Sequence, residues 1–203
     1  MPNSEWNEKT LTKDEQRQRK RMAVLRAGAR MFNERGFDRT SLMDIAAELN
    51  VSKRTLYYYV KNKDDILFQC SRLAMEFMGN EIIKCQQVTA PPLQRIESLM
   101  RVYMDLLSNE FGSCLVLCKD DVLSTDSQEV LRQERVVLDY RVRDLIKEGI
   151  KDGTIGLCDP KLATAALFGA FNWVPYWHKT NSSPSYNDVA DQFLKIYLKG
   201  LQA

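Results

Sequence analysis

Apolar residues recur three and four positions apart along most of this chain, the spacing that gathers them on one side of an α-helix. Met22, Leu25, Ala29 and Phe32 make the first stripe. Gly36 then fits the left-handed residue that ends a helix, and Phe37 can fold back on the last turn. Leu42, Ile45, Ala46 and Leu49 make the second stripe, with Ser41 as N-cap and Asp44 as its capping-box partner. Asn50 tolerates the left-handed turn that links two helices at a steep angle. Ser52 caps a third helix, Lys53 to Tyr59, in which Leu56 and Val60 point inward.

Asn62 to Asp65 opens a longer helix with Ile66, Cys70, Leu73 and Phe77 on one side. Pro91-Pro92 begins another, carrying Leu93, Ile96, Met100, Tyr103 and Leu107. A short apolar piece runs from Cys114 to Cys118, and a long helix from Ser127 to about Lys151, stopped at Gly153. Asp159-Pro160 supplies an N-cap with proline behind it for a small-residue helix, Leu162 to about Val174, which Pro175 interrupts. Ser185 to about Leu201 is the last helix. No stretch keeps the period-two alternation of a strand. The pattern predicts an all-α fold of about nine helices: a flexible arm at 1–16, a three-helix head at 17–63, and a helical body at 64–203.

Charge divides the chain in the same place. Residues 1–63 hold 14 Lys and Arg against 8 Asp and Glu, whereas the remaining residues hold 15 against 19. A basic end on an acidic body points to a polyanionic partner for that end alone. No apolar run approaches the roughly 20 residues of a membrane span, and the N-terminus lacks the apolar core of a secretory signal. Five scattered cysteines, an odd number, fit free thiols in a reducing compartment. A cytoplasmic protein without a membrane partner is expected.

The third helix carries the chemistry. A short helix reaches the floor of the DNA major groove when a partner helix and a tight turn hold it clear of the surface. Lys53 and Arg54 supply donors for base edges, and arginine can bridge guanine O6 and N7. Thr40, Ser52, Thr55, Tyr57, Tyr58 and Tyr59, with Lys63 at the next helix start, supply hydroxyls and an ammonium group for phosphates.

The run from Ser41 to Ala47 and on from Val51 through Leu67 (VSKRTLYYYVKNKDDIL) resembles the N-terminal domain of TetR/AcrR-type transcriptional regulators. The Gly36-Phe37 break and the start at Thr40 match as well, so the resemblance covers about residues 20–67. It implies a DNA-binding head on a ligand-binding and dimerisation body. It implies further that Thr40, Lys53, Arg54, Tyr57, Tyr58 and Lys63 approach DNA while Leu56 is buried. Arg54 and Asn50 stand where the family often has glycine, and Tyr59 where it often has histidine.

A second segment, Gly169-Ala170-Phe171-Asn172-Trp173 with Trp177 four on, is similar to one in family members that respond to acyl-CoA thioesters. Tyr103, Phe168, Asn172, Trp173, Tyr176 and Trp177 are the candidate effector-binding residues. The aromatics among them equally suit a subunit interface. Ala163, Ala166, Gly169 and Ala170 let a neighbouring helix come close, and with the last helix would build a two-fold interface. Such a homodimer places two reading helices about 34–36 Å apart on a near-palindromic double-stranded operator.

Cys114 and Cys118 share a face if their segment is helical, but two cysteines without a nearby histidine make a poor zinc site, and buried packing is the plainer reading. A thiol switch stays open beside it. No residue set suggests catalysis: His178, the sole histidine, lies far from any nucleophile pattern, and Asp120-Asp121 are adjacent and do not face each other if helical. The expectation is a ligand-responsive repressor, not an enzyme, with no cofactor and no metal, sensing a small apolar or acyl-CoA-type effector. The rivals are the same scaffold sensing drug-like compounds to control efflux, redox sensing through thiols, and a helical enzyme or adaptor that leaves DNA alone.

Overall fold

The computed structural model describes residues 12–178 and 183–201. Among these, nine α-helices and one 3₁₀ turn account for the regular structure. α1 (Lys13–Arg35), α2 (Leu42–Glu48) and α3 (Lys53–Leu56) form the head. α4 (Lys63–Gln87) runs from the head into the body. The body adds α5 (Pro92–Ser108), α6 (Glu110–Leu117), α7 (Thr125–Asp152), α8 (Pro160–Trp177) and α9 (Tyr186–Leu201), with the 3₁₀ turn at Asp120–Val122.

Local chemistry sets the ends of these helices. Thr12 and Glu15 close a capping box, so α1 begins four residues earlier than the apolar pattern indicates. Residues 13–16 are therefore helix and not part of an arm; residues 1–11 of that arm lie outside the described residues. Gly36 has φ 88°, which a side chain would resist, but its ψ of 152° takes the chain out extended instead of into a left-handed cap. Ser41 and Asp44 make a complete capping box, and Asn50 turns left-handed at φ 54°. Asn109, an unread cap, accepts from the Phe111 and Gly112 amides and starts α6 as a full helix around the Cys114–Cys118 piece.

Two helix ends and one packing face differ from expectation for readable reasons. α3 is one α-helical turn, and residues 57–59 continue as tighter turns, with Tyr58 and Tyr59 amides bonding the carbonyls three residues back. α8 runs through Pro175 to Trp177, because a proline in the last turn forfeits a single hydrogen bond. On α4 the inward stripe is Ile66, Leu67, Cys70, Ser71, Ala74, Met75, Met78 and Ile82, which leaves Phe77 exposed on the flank.

Two buried clusters result. One joins α1, α2, α3, the start of α4 and α6 around Leu25, Phe32, Ile45, Leu56 and Leu67. The other fills the body around Met100, Met104, Leu145, Phe171 and Val174. α4 contributes to both, Ile66 to the first and Met78 to the second, so it is a rigid rod shared by head and body.

Candidate nucleic-acid interface and effector cavity

α3 is held proud of the head by one deep anchor. Leu56 is fully buried, Val60 nearly so, and the Val51 amide donates to the Ala46 carbonyl across the turn from α2. The Ser52 hydroxyl caps the helix by accepting from the Thr55 amide, and the Ser52 and Thr55 hydroxyls bond each other at 2.9 Å. With the apolar side anchored, Lys53, Arg54, Tyr57 and Tyr58 face solvent; Tyr58 is 65% exposed. The Lys53 ammonium group lies 5.8 Å from the Tyr57 ring centre, a loose cation–π contact that holds both side chains on one face.

The same surface continues onto α1. Arg17, Arg21, Tyr57, Tyr58, Lys61, Asp65 and Gln69 rim a shallow cleft. Arg21 donates to the Gln69 side chain at 2.8 Å, Gln69 donates to Asp65, and Asp65 accepts from the Lys61 amide. This chain of bonds fixes the end of the reading turn against α1 and α4. The helical phase of Arg17 and Arg21, four apart, is the signal that groups them.

Thr40 and Lys63, both expected at DNA, make bonds within the head. Thr40 is 2% exposed, and its hydroxyl donates to the Met31 and Gly36 carbonyls, so it closes the α1–α2 loop. Lys63 donates from Nζ to the Phe37 carbonyl at 2.8 Å and the Thr40 carbonyl at 3.3 Å, 4.2 Å above the Phe37 ring. Two of its three donors are used within the head. Tyr59 is half-buried against the head cluster. Thr40→Val, which removes the hydroxyl and strands both carbonyls, is expected to cost about 1–3 kcal/mol of stability. A melt showing no loss beside weakened DNA binding would return Thr40 to the contact surface.

In the body, α4, α5, α6, α7 and α8 line an open-mouthed cavity of about 490 Å³. Five of the six candidate effector residues, Tyr103, Phe168, Asn172, Trp173 and Tyr176, line it. Trp177 does not: it lies one step further round α8 and meets the His178 ring edge-on. Periodicity could not nominate the other walls, Met75, Met78 and Ile82 from α4, Leu115 and Val116 from α6, and Arg135, Leu138 and Asp139 from α7, since they converge only in the fold.

The cavity is apolar with a few placed polar groups. Burial holds the Tyr103 phenol well above its ordinary pKa, so it stays a donor, and it donates to Asn172 Oδ1. The Asn172 amide nitrogen remains as a donor the side chain can offer. Arg135 is paired with Asp120 of the 3₁₀ turn, and Asp139 with Arg143 one turn along α7. At the rim Trp173 and Tyr176 stack at 5.1 Å and 22°, Trp173 with 61% of its surface exposed.

Among the described residues no group of three or more His, Cys, Asp or Glu is gathered as a metal site, and no helix is long and apolar enough to cross a membrane.

Comparison with known proteins places both halves. Residues 24–70 match the family model for bacterial regulatory proteins of the tetR family, and residues 89–201 match the model for the tetracyclin repressor-like C-terminal domain. The fatty acid metabolism regulator protein of Bacillus subtilis is 26% identical over 200 residues, covering 92% of this chain and 97% of its own length. The transcriptional repressor KstR2 of Mycolicibacterium smegmatis is 22% identical over 191 residues, 90% of each chain. The solved ketosteroid transcriptional regulator KstR2 of Mycobacterium tuberculosis superposes with a TM-score of 0.81 at 20% identity, over 91% of this chain and 95% of that one. AibR in complex with isovaleryl coenzyme A and operator DNA superposes at 0.77 with 21% identity, over 87% and 96%. An outward-facing reading turn on a helix-turn-helix head, and a body with its own cavity, thus come with a match to the family at both ends: the chain belongs to the TetR family of bacterial transcriptional regulators.

Proposed function

We propose that the protein is a cytoplasmic, non-enzymatic, homodimeric repressor that leaves a near-palindromic operator when an acyl-CoA-type thioester fills the body cavity. The observation that carries the effector class is the cavity itself. Its walls are methionine, leucine, valine and aromatic side chains, apt for an acyl chain. Asn172, its oxygen already occupied by Tyr103, has an amide N–H suited to a thioester carbonyl. The stacked Trp173 and Tyr176 give a flat ligand group a surface at the rim. A volume of about 490 Å³ holds an acyl chain and part of its carrier arm, leaving the nucleotide end outside. Among the relatives, a fatty acid metabolism regulator and a regulator in complex with isovaleryl coenzyme A agree with this chemistry.

Dimerisation is read from α8 and α9. Leu162, Ala166, Gly169, Trp173 and Ile196 are exposed in the single chain and form an apolar, small-residue face. Paired two-fold, it would set two copies of α3 on one side of a duplex. Release is then a population shift, with the effector preferring the spacing of heads that does not fit the operator.

The test is a binding assay on the DNA flanking the protein's own gene, with thioesters of graded chain length beside free fatty acids and drug-like cations. At about a hundredfold excess over Kd an effector adds about 2.7 kcal/mol, which raises the melting temperature by about 5–10 °C in a chain of this size. A thioester that gives this shift and releases the DNA supports the reading. Release by the cations alone would transfer the protein to drug sensing.

A further inference from the structure

α6 has two faces with different neighbours. Leu115 and Val116 line the effector cavity, and Tyr176 of α8 donates its phenol hydrogen to the Val116 carbonyl at 2.9 Å. Cys114 and Cys118 instead belong to the head cluster, with Leu25, Leu67 and Cys70. The N-terminal end of α6 is fastened to α1, where Asn33 donates to the Glu110 carbonyl at 2.9 Å and Arg26 pairs with the Glu110 carboxylate at 3.4 Å.

The sulfurs of Cys114 and Cys118 are 3.7 Å apart. Cys114 is fully enclosed within the helix, whereas Cys118 follows its last residue in extended backbone, φ −92° and ψ 130°, and is 9% exposed. The two thiols are unequal. A hydrogen bond from the Cys114 S–H draws Cys118 below the ordinary thiol range, against the opposing pull of burial. That same bond, with burial, pushes Cys114 up. The more exposed member is thus the readier thiolate, and its partner waits at van der Waals distance. Together they have the arrangement of an attacking and a resolving cysteine.

We propose that Cys114 and Cys118 are a reversible disulfide site, oxidised by a hydroperoxide, through which oxidation lowers the protein's affinity for DNA. The Cys118 thiolate attacks one oxygen of hydrogen peroxide. The O–O bond breaks, Cys118 becomes a sulfenic acid, and the leaving hydroxide takes up the proton lost by the thiol, giving water. The Cys114 sulfur then attacks the Cys118 sulfur. The S–O bond breaks, a second water carries off the hydroxyl with the Cys114 proton, and the S–S bond forms. Two thiols lose two electrons in all, and one peroxide is reduced to two waters.

The consequence follows from helix geometry. A disulfide needs sulfurs about 2.05 Å apart and Cβ atoms about 3.5–4.5 Å apart. Residues four apart on a regular helix hold their Cβ atoms at about 5–6 Å. Closing the bond therefore remakes the end of α6, and Cys118 is the free end that moves. Two positions further on, Asp120 holds Arg135 at the cavity wall, while Cys114 is drawn from its place in the head cluster. Oxidation works on the head-to-body junction directly, without an effector in the cavity.

The full-length protein, reduced and then treated with hydrogen peroxide, is digested after thiol blocking and analysed by mass spectrometry beside a DNA-binding titration. The expected result is a peptide pair joined at Cys114 and Cys118, about a tenfold or greater loss of DNA affinity, within the usual range of coupling between sites, and recovery with dithiothreitol. Cys114→Ser and Cys118→Ser should each abolish the loss, while a Cys70→Ser, Cys85→Ser, Cys158→Ser protein keeps it. Peroxide that oxidises other thiols without joining these two overturns the proposal. So does a joined protein whose DNA affinity is unchanged, a result that requires no variant to fold. Effector release is read separately on Cys118→Ser, so the redox site and the effector assignment fail independently.

Discussion

The protein with Lys53→Ala and Tyr58→Ala together is expected to lose about a thousandfold in operator affinity while melting within about 1 °C of the parent. Both side chains are exposed, buried Leu56 and Val60 anchor the turn that carries them, and surface substitutions of this kind move stability by no more than about 0.5 kcal/mol. Each lost contact to a base edge or phosphate costs about 1 kcal/mol or more, and a dimer presents each twice. The total is about 4 kcal/mol, and each 1.4 kcal/mol is tenfold. Salt dependence separates the two kinds of contact. If the Lys53 ammonium group meets a phosphate, Lys53→Ala lowers the slope of log affinity against log salt by about 2 per dimer. If it meets a base edge, the slope stays and sequence preference relaxes. Affinity within about threefold of the parent in the double variant would remove these residues from the interface.

How far the sequence carried depends on the range of the interaction. Caps are written within four residues, so Ser41, Ser52, Asn62 and Asp159 were legible as helix starts. Asn50 was legible because few side chains tolerate a positive φ. The Thr12 box is equally local, but the polar residues around it interrupt the apolar period that marks the rest of α1. The inward bonds of Thr40 and Lys63 are illegible for a different reason. Their partners, Met31 and Gly36 for one and Phe37 for the other, lie across a loop, and a hydroxyl or ammonium group reads the same whether it faces water or a backbone carbonyl. The cavity divided likewise. One motif on α8 named its aromatic side, and Trp177 dropped out once the helix phase was known. The walls from α4, α6 and α7 have no shared signature, being brought together by packing alone.

Gly112→Ala is expected to be among the most damaging single methyl groups the chain can receive. A Cβ there would sit 2.0 Å from the Leu106 carbonyl oxygen and 2.5 Å from its carbon. These are backbone atoms at the end of α5, and that oxygen already accepts from the Asn109 amide that caps the helix end. No rotamer relieves the clash, so α6 must move away from α5. Overpacking of this kind costs about 3 kcal/mol, which lowers the melting temperature of a chain this size by about 6–12 °C. The displacement reaches further than the melt, because α6 carries Leu115 and Val116 into the cavity and Cys114 into the head cluster. DNA affinity and effector response should therefore fall together. Gly79→Ala is the control of opposite sign. It lies inside α4 with nothing within 4 Å of its Cβ position, so alanine gains about 0.5–1 kcal/mol by stiffening the unfolded chain and favouring the helix. If Gly112→Ala melted within about 1 °C of the parent, α6 would not be wedged against α5, and the coupling of head to cavity through that helix would have to be sought along α4 instead.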